Sequence, residues 1–315
     1  MTQSEQADIN KYEICGTIVV IRNQILKTLN FIEKLNMNQL QIVSCQNFNA
    51  SKIPQIITIL TVDNCNNLNI QEIYLLQQLQ QLHLRYNELN DISAIKALIG
   101  LVYLDVSNNQ IKNIESLSKL TNLTTLLLDD NKISDIYPLR FQIKIECLSL
   151  ANNKLTNIDA IKNMKELSIL SLGYNQLIDI DALCGLPNIK QLFLQQNKII
   201  DISSIIKLNS LNFLNVENNY IQDISPLQIH SQCYSVFGQQ KLPQISQIRQ
   251  LKAIRGINSI QTNILQLWKN NVTVINKRQA FNEQMQIHYN KAIECQQKLD
   301  RAINSFINSL NLPSQ

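Results

Sequence analysis

One spacing of 22 residues governs the middle of this chain. Seven consecutive units begin with an apolar residue and continue in the pattern L-x-x-L-x-L-x-x-N, and their first residues are Leu79, Leu101, Leu123, Ile145, Leu167, Ile189 and Leu211. The apolar fourth and sixth positions alternate as a half-buried β-strand requires. One such unit cannot bury its apolar face alone, so successive units must stack. The pattern predicts an α/β solenoid with a parallel β-sheet on its concave face.

The ninth position of every unit is asparagine: Asn87, Asn109, Asn131, Asn153, Asn175, Asn197 and Asn219. A primary amide offers two donors and an acceptor, so a stacked column of asparagines can satisfy backbone groups at the turn that leaves each strand. We therefore predict a structural role for this column and no binding site in it.

Degenerate units precede the regular ones. Ile57, Leu60 and Val62 keep the strand pattern with Cys65 in place of asparagine, and an earlier unit begins at Met37. Residues 37–240 are thus predicted to form a solenoid of about nine repeats. Residues 1–36 have apolar spacing closer to that of a helix, which predicts a helical N-terminal cap.

A unit of this length has no room for a full α-helix after the strand and turn, so the convex side should be 3₁₀ or extended. Pro138 and Pro226 agree, because proline is tolerated outside helix interiors. Aspartate recurs at the thirteenth position, and we expect it to cap the convex 3₁₀ turn and not to bind calcium. These aspartates are Asp91, Asp135, Asp179, Asp201 and Asp223.

The period fails after Leu227. Cys233 lies where a last, degenerate unit would begin, and from Gln244 onward the apolar spacing is helical. Residues 244–315 are predicted to form a basic helical tail: residues 241–315 carry net charge +7, against −3 for residues 1–240. Two readings stay open for the tail, self-association as a coiled coil through 278–310, or two helices packed as a hairpin or on the last repeat. Its basic residues are spread out, so contact with nucleic acid or anionic lipid is less favoured than a solvated face.

Alternation sends the third, fifth and seventh positions of each strand to the concave face, beside the eighth. We expect apolar residues there to face solvent and to anchor a protein partner. The candidate partner-binding residues are Arg85, Tyr86, Tyr103, Asp105, Leu127, Asp129, Ile169, Tyr174, Phe193, Phe213 and Glu217.

The repeat resembles the SDS22-like subclass of leucine-rich repeats over about residues 60–230. That subclass occurs in a regulatory subunit of protein phosphatase 1, in ciliary and cytoskeletal proteins and in bacterial internalins. The resemblance implies docking of a phosphatase catalytic subunit on the concave face through acidic and aromatic residues. Residues of those types here are Tyr103, Asp105, Asp129, Phe193, Phe213 and Glu217, whereas His83, Arg85 and the helical tail depart from the pattern.

No pattern for catalysis, a cofactor or a metal is visible. The histidines His83, His230 and His288 are far apart, and the six glycines form no phosphate-binding loop. The seven cysteines are scattered singly, and neither a signal peptide nor a membrane span is recognisable, which predicts a cytoplasmic or nuclear protein. The sequence thus predicts a non-enzymatic scaffold. The alternatives are a cytoskeletal or ciliary linker acting through the C-terminal helices, and a secreted internalin-like adhesin.

Overall fold

One β-sheet, with its strands in chain order, runs through the described part of the protein. The computed structural model describes residues 12–15, 17–24, 37–221, 223, 225–229 and 234–236. Within them lie twelve strands in the order β1 to β12, of which β1 and β2 are antiparallel and every later pair is parallel. The strands are β1 Tyr12–Cys15, β2 Ile18–Arg22, β3 Gln39–Val43, β4 Ile59–Asp63, β5 Gln81–His83, β6 Tyr103–Asp105, β7 Thr125–Leu127, β8 Cys147–Ser149, β9 Ile169–Ser171, β10 Gln191–Phe193, β11 Phe213–Asn215 and β12 Tyr234–Val236.

The register of the sheet follows the 22-residue period. Leu104 pairs with Leu126, which pairs with Leu148, so equivalent positions of successive units are neighbours. The side chains at these fourth positions are fully buried, as are the sixth-position residues Val106 and Leu128. The core is therefore a continuous apolar column behind the sheet, which confirms the predicted solenoid.

Short 3₁₀ helices run along the opposite, convex side, as predicted. Their bounds are Ala50–Lys52, Ile73–Leu75, Ser93–Ala97, Glu115–Lys119, Tyr137–Phe141, Asp159–Ile161, Asp181–Gly185, Ser203–Lys207 and Ser225–Ile229. Five of these helices follow the thirteenth-position aspartate, whose carboxylate accepts a hydrogen bond from the first N–H of the helix, as between Asp135 Oδ1 and the N–H of Tyr137 at 2.8 Å. This confirms the predicted capping role of that aspartate. Asn113 and Asn157 take the same role in two others.

The asparagine column ties each turn to its neighbours. Asn131 Nδ2 donates to the carbonyl oxygens of Val106, Leu128 and Asp129 at 3.0, 3.1 and 3.1 Å, and Asn131 Oδ1 accepts from the N–H of Ile111 at 2.9 Å. In the early turns, cysteine takes over the position: the Cys65 thiol approaches the carbonyl of Asp63 at 3.4 Å and accepts from the N–H of Cys45 at 3.4 Å. The column is structural, as the sequence predicted.

The helical cap predicted for residues 1–36 is wrong where the structure describes it. Tyr12–Cys15 and Ile18–Arg22 are strands, and β2 continues the parallel sheet by pairing with β3. The run Ile18-Val19-Val20-Ile21 is β-branched throughout and buries Val19 and Ile21 in alternation, which favours a strand over a helix. Residues 1–11, 16 and 25–36 lie outside the described residues.

The expected register of the last unit is also wrong. Placing Cys233 first would bring Ser235 to the third position, but Tyr234 pairs with Phe213, so the unit is one residue shorter than the period requires. No asparagine follows to fix the 22-residue spacing. The predicted helical tail 244–315, and with it the coiled coil through 278–310, lies outside the described residues. Within those residues there is no helix of the length and hydropathy that a membrane crossing needs.

Candidate partner-binding face

The face of the sheet that points away from the core carries the candidate site. Strands β5 to β11 have only three residues each, so the first and third residues of each strand point outward and the second is buried. These outward residues form rows across the sheet because the strands are in register. We call this surface, with the seventh and eighth positions that continue it, the concave face.

A charge cluster occupies its N-terminal half. Arg85 binds Asp63 through two nitrogens, with Nη2 and Nε at 2.6 and 3.0 Å from Oδ2, and Arg85 Nε lies 3.7 Å from Asp105 Oδ2. Asp105 is 3% exposed and also accepts from the N–H of Ser107. The expectation that Asp105 is offered to a partner is therefore wrong, because the neighbouring strand covers it and its carboxylate holds Arg85 and the turn.

Two rings lie beside this cluster. His83 and Tyr103 are on neighbouring strands, with ring centroids 4.6 Å apart. Burial lowers the pKa of the His83 imidazole, and the carboxylates of Asp105 and Asp63 oppose this shift. Burial likewise raises the pKa of the Tyr103 hydroxyl. Tyr103 is half-buried, so it offers a partner one side of its ring and not the whole side chain.

Asp129 and Leu127 lie at the centre of the face, and both are half-buried. Asp129 Oδ1 accepts from the Ser149 hydroxyl at 2.5 Å and from the N–H of Ala151 at 2.7 Å. Burial raises the pKa of the Asp129 carboxyl, and these two hydrogen bonds lower it in part. Asp129 thus keeps one carboxylate oxygen that these bonds do not use.

Small residues lie next to Asp129, so that the face should be lower there than at the larger side chains around them. Ser149, Ala151, Ser171 and Gly173 occupy the fifth and seventh positions of two adjacent units. The side chain of Gln195 lies over Gly173, where an added Cβ would come within 2.6 Å of it. Gln195 Oε1 is buried and has no hydrogen-bond partner in the described part of the chain.

Apolar residues border these small residues on their C-terminal side. Phe193 and Phe213 form a tilted aromatic pair with centroids 4.9 Å apart, and both are half-buried. Ile169 is exposed on the adjacent strand. Glu217 is half-buried at the seventh position of the last regular unit. Of the seven apolar or aromatic candidates, Tyr86, Ile169 and Tyr174 are exposed, and the other four, Tyr103, Leu127, Phe193 and Phe213, are half-buried.

Tyr86 and Tyr174 are the most exposed aromatic residues of the face, at 57% and 53%. Both occupy the eighth position, where the backbone turns with positive φ, 58° in each case. Four other units place asparagine there, a residue that tolerates this conformation better than tyrosine does. The fold alone therefore does not account for tyrosine at these two positions.

The concave face is acidic. Among its third, fifth, seventh and eighth positions from β3 to β11, the acidic residues are Asp63, Asp105, Asp129, Asp130 and Glu217 and the one basic residue is Arg85, for a net charge of −4. In the part of the chain that the structure describes, no three His, Cys, Asp or Glu side chains are grouped as a metal site would need. The arrangement offers binding contacts, with acidic and aromatic residues around a group of small ones.

Family models agree with this architecture. Residues 77–119 and 99–140 match the model described as "Leucine Rich repeats (2 copies)", and residues 143–199 match "Leucine rich repeat". The chain is a leucine-rich repeat protein. Members of this family are typically non-enzymatic scaffolds for protein–protein interaction, and no enzyme family is indicated.

Solved leucine-rich repeat structures have the same solenoid. An internalin (inlF) from Listeria monocytogenes is 27% identical with a TM-score of 0.63, over 70% of this chain and 74% of that one. Internalin C2 from the same species is 31% identical with a TM-score of 0.57, over 58% of this chain and 81% of that one. The ectodomain of the Arabidopsis thaliana receptor kinase GASSHO1/SCHENGEN3, solved in complex with Casparian strip integrity factor 2, is 21% identical with a TM-score of 0.55, over 67% of this chain and 28% of that one. No curated protein matches the chain.

Proposed function

We propose that this leucine-rich repeat protein is a scaffold that binds a protein partner on its concave face, with Tyr86 and Tyr174 as the main anchors. The observation that carries the proposal is their combination of exposure and positive φ. A left-handed conformation costs a bulky residue about 1–2 kcal/mol, so a folding advantage does not explain tyrosine there. Burying the exposed part of each ring against a partner contributes about 2–3 kcal/mol, which offsets that cost.

The charge of the face defines the partner further. A net charge of −4 favours a basic segment, and the Phe193–Phe213 pair with Ile169 favours apolar side chains in it. The small side chains of Ser149, Ala151 and Ser171 leave room for one such side chain between Leu127 and Phe193. We therefore propose a partner segment with alternating basic and apolar residues that lies across strands β5 to β11.

The test is affinity purification of the full-length chain followed by measurement of the dissociation constant for the recovered partner. The variant is Tyr86→Asn with Tyr174→Asn, and the control is Tyr74→Ser with Ile206→Ser, two exposed apolar residues on the convex side. We expect the tyrosine variant to bind at least roughly tenfold more weakly and to be no less stable, because asparagine suits positive φ.

Equal affinity of the tyrosine variant and the wild type would reject these anchors. Equal loss in the tyrosine variant and the control would reject the concave face as the binding site. A gain in stability together with a loss of binding supports the proposal and excludes misfolding as the reason for the loss.

A phosphatase catalytic subunit is our candidate partner, in agreement with the resemblance to the SDS22-like subclass. The support is the acidic and aromatic character of the face, to which Tyr103, Asp129, Phe193, Phe213 and Glu217 contribute. Purified protein phosphatase 1 catalytic subunit should be retained by the full-length chain and released by Tyr86→Asn with Tyr174→Asn. Failure of a folded chain to retain it would reject the phosphatase as the partner. The concave face would then bind a different protein.

A cytoplasmic or nuclear location belongs to the same proposal. Its support is the set of free thiols in the described part of the chain: Cys45, Cys65, Cys147 and Cys184. Fractionation would test it, and an internalin-like adhesin would instead be recovered at the cell surface or in the medium. A cytoskeletal or ciliary linker would lose its localisation when residues 244–315 are deleted.

A further inference from the structure

Charge is divided between the two halves of each repeat. The half that runs from the start of the 3₁₀ helix back to the next strand, which we call the return edge, comprises residues 93–102, 115–124, 137–146, 159–168, 181–190 and 203–212. It holds eight basic residues, Lys96, Lys119, Arg140, Lys144, Lys162, Lys165, Lys190 and Lys207, and five acidic ones, Glu115, Glu146, Asp159, Glu166 and Asp181. The other half of the same six units holds five basic and eight acidic residues. One edge of the solenoid is therefore basic.

Exposed apolar side chains are concentrated on that same edge. Tyr137, Phe141 and Ile143 are 61%, 58% and 56% exposed within one turn. Ile99 is 60% exposed two turns earlier at the position equivalent to Ile143, and Val102 is 40% exposed beside it. We call these five residues the return-edge patch. Other units carry Ser, Glu or Asp in place of Tyr137, so the repeat does not require an aromatic residue there.

Basic groups are built into the patch. The Arg140 guanidinium lies 4.0 Å from the Tyr137 ring centroid and 4.5 Å from that of Phe141, and its Nη1 donates to the carbonyl of Tyr137. Lys144 Nζ donates to Asn122 Oδ1 at 2.8 Å, and Asn122 Nδ2 donates to the carbonyl of Ile99 at 3.0 Å. Arg140 thus lies against both aromatic rings of its own turn, and hydrogen bonds link Lys144 through Asn122 to the backbone of Ile99 two turns earlier.

We propose that the return-edge patch is a peripheral membrane-binding site that contacts the headgroup layer of anionic phospholipids. Exposed aromatic and aliphatic side chains favour the interfacial zone of a bilayer, and lysine and arginine beside them favour anionic headgroups. The patch side chains are more than half exposed, with the exception of Val102, so they protrude from the surface and do not line a groove. A protruding surface suits a soft lipid layer better than a peptide, which needs walls on both sides.

The experiment is co-sedimentation of the full-length chain with vesicles of phosphatidylcholine alone and with about one third phosphatidylserine. We expect binding to the anionic vesicles that weakens as salt is raised, because exposed charges are screened. Tyr137→Ser with Phe141→Ser and, separately, Arg140→Glu with Lys144→Glu should each weaken that binding at least tenfold. The control Lys112→Glu with Lys154→Glu makes the same change in charge on the acidic half of the repeats and should weaken it less than threefold.

The basic segment 241–315 is present in every variant, so its attraction to anionic lipid cancels in the comparison. Thermal unfolding of each variant verifies that it is folded. Absence of wild-type binding, or equal binding by the patch and control variants, would overturn the proposal. The wild type could also fail to bind vesicles and instead bind an acidic protein that the patch variants do not bind. That result would overturn the proposal in favour of a protein contact.

Discussion

At the scale of single residues, the side-chain amide at the ninth position links the backbones of two successive turns. Asn131 satisfies three carbonyl oxygens and one N–H from two turns, all in a buried environment. An unpaired buried group costs far more than an exposed one because water cannot replace the lost partner. Loss of this side chain would therefore leave several buried groups unpaired at once.

Asn131→Ala should lower the free energy of unfolding by about 2–4 kcal/mol, because it removes these hydrogen bonds and leaves the Ile111 N–H without its acceptor. Asn122→Ala is the matched control: Asn122 is exposed, and its loss should cost about 0.5 kcal/mol or less. Urea denaturation followed by circular dichroism measures both. Equal effects would mean that the column contributes no more than surface asparagines do.

Gln142 is a polar residue at a core position. It is 0% exposed, its Nε2 donates to the carbonyl of Leu117 at 2.7 Å, and its Oε1 has no partner among the described residues. Equivalent positions hold Leu120 and Met164. Gln142→Leu should raise the free energy of unfolding by about 1–2 kcal/mol, since it removes an unsatisfied buried oxygen. Destabilisation in the same denaturation assay would show that this oxygen has a partner after all.

His83 gives the fold a dependence on pH. Because burial lowers its pKa in the folded state, the unfolded chain binds more protons just below pH 6.5. Stability should therefore be level above about pH 6.5 and fall as the pH drops from there to the folded-state pKa. His83→Gln should flatten this part of the profile, measured by urea denaturation between pH 5 and 8. An unchanged slope would assign the effect to other groups.

At the scale of elements, the early turns differ from the later ones in the hydrogen-bond acceptor at the ninth position of the repeat. The Cys45 N–H donates to a thiol sulfur at 3.4 Å, whereas the Ile199 N–H donates to Asn219 Oδ1 at 3.0 Å. Both amides are buried, after β3 and β10, and each of these strands has two strands of the sheet beyond it. Thiols are weak hydrogen-bond acceptors.

The amide of Cys45 should consequently exchange its hydrogen at least about tenfold faster than that of Ile199, because its bond opens more easily. Native-state hydrogen exchange by NMR gives both rates. Cys65→Asn, which restores the residue of the regular units, should slow exchange at Cys45. Faster exchange in that variant would show that the thiol fits this turn better than the amide does.

The same elements show what the sequence could and could not predict. The 22-residue spacing predicted the strands, the 3₁₀ segments and the roles of Asn131 and Asp135, because each follows from position within one unit. It did not predict β2, because Ile18 and Ile21 satisfy a helical spacing while Val19 and Ile21, in the same apolar run, satisfy the alternation of a strand. Asp105 was misjudged for a different reason: it is buried, and its carboxylate lies 3.7 Å from Arg85, which follows the adjacent strand.

At the scale of the whole molecule, the charge of a surface is the sum of equivalent positions over many repeat units. No single sequence motif determines it. The acidic concave face and the basic return edge emerge only when equivalent positions are added across turns. Asp129 and Glu217 are 88 residues apart in the chain, yet both lie in the seventh-position row. The return-edge patch likewise escaped prediction, because Ile99 and Phe141 belong to different units and neither breaks the repeat pattern.

Removal of one unit tests this additive organisation. Deleting residues 145–166 should bring Thr125 beside Ile169 in the same parallel register, with Asn175 Oδ1 accepting from the Ile133 N–H as Asn153 does now. We expect a cooperative thermal transition at a lower midpoint, since each unit contacts only its neighbours. Loss of the transition would show that coupling extends beyond adjacent turns.

The asparagine column has an evolutionary corollary. Because each ninth-position amide is bonded only to its own turn and the one before it, a gene segment of 66 nucleotides can be gained or lost without altering any other joint of the column. The length of the binding surface can then change by duplication while its side chains change by point mutation. A lineage carrying this gene could thus adjust the reach and the chemistry of its scaffold independently.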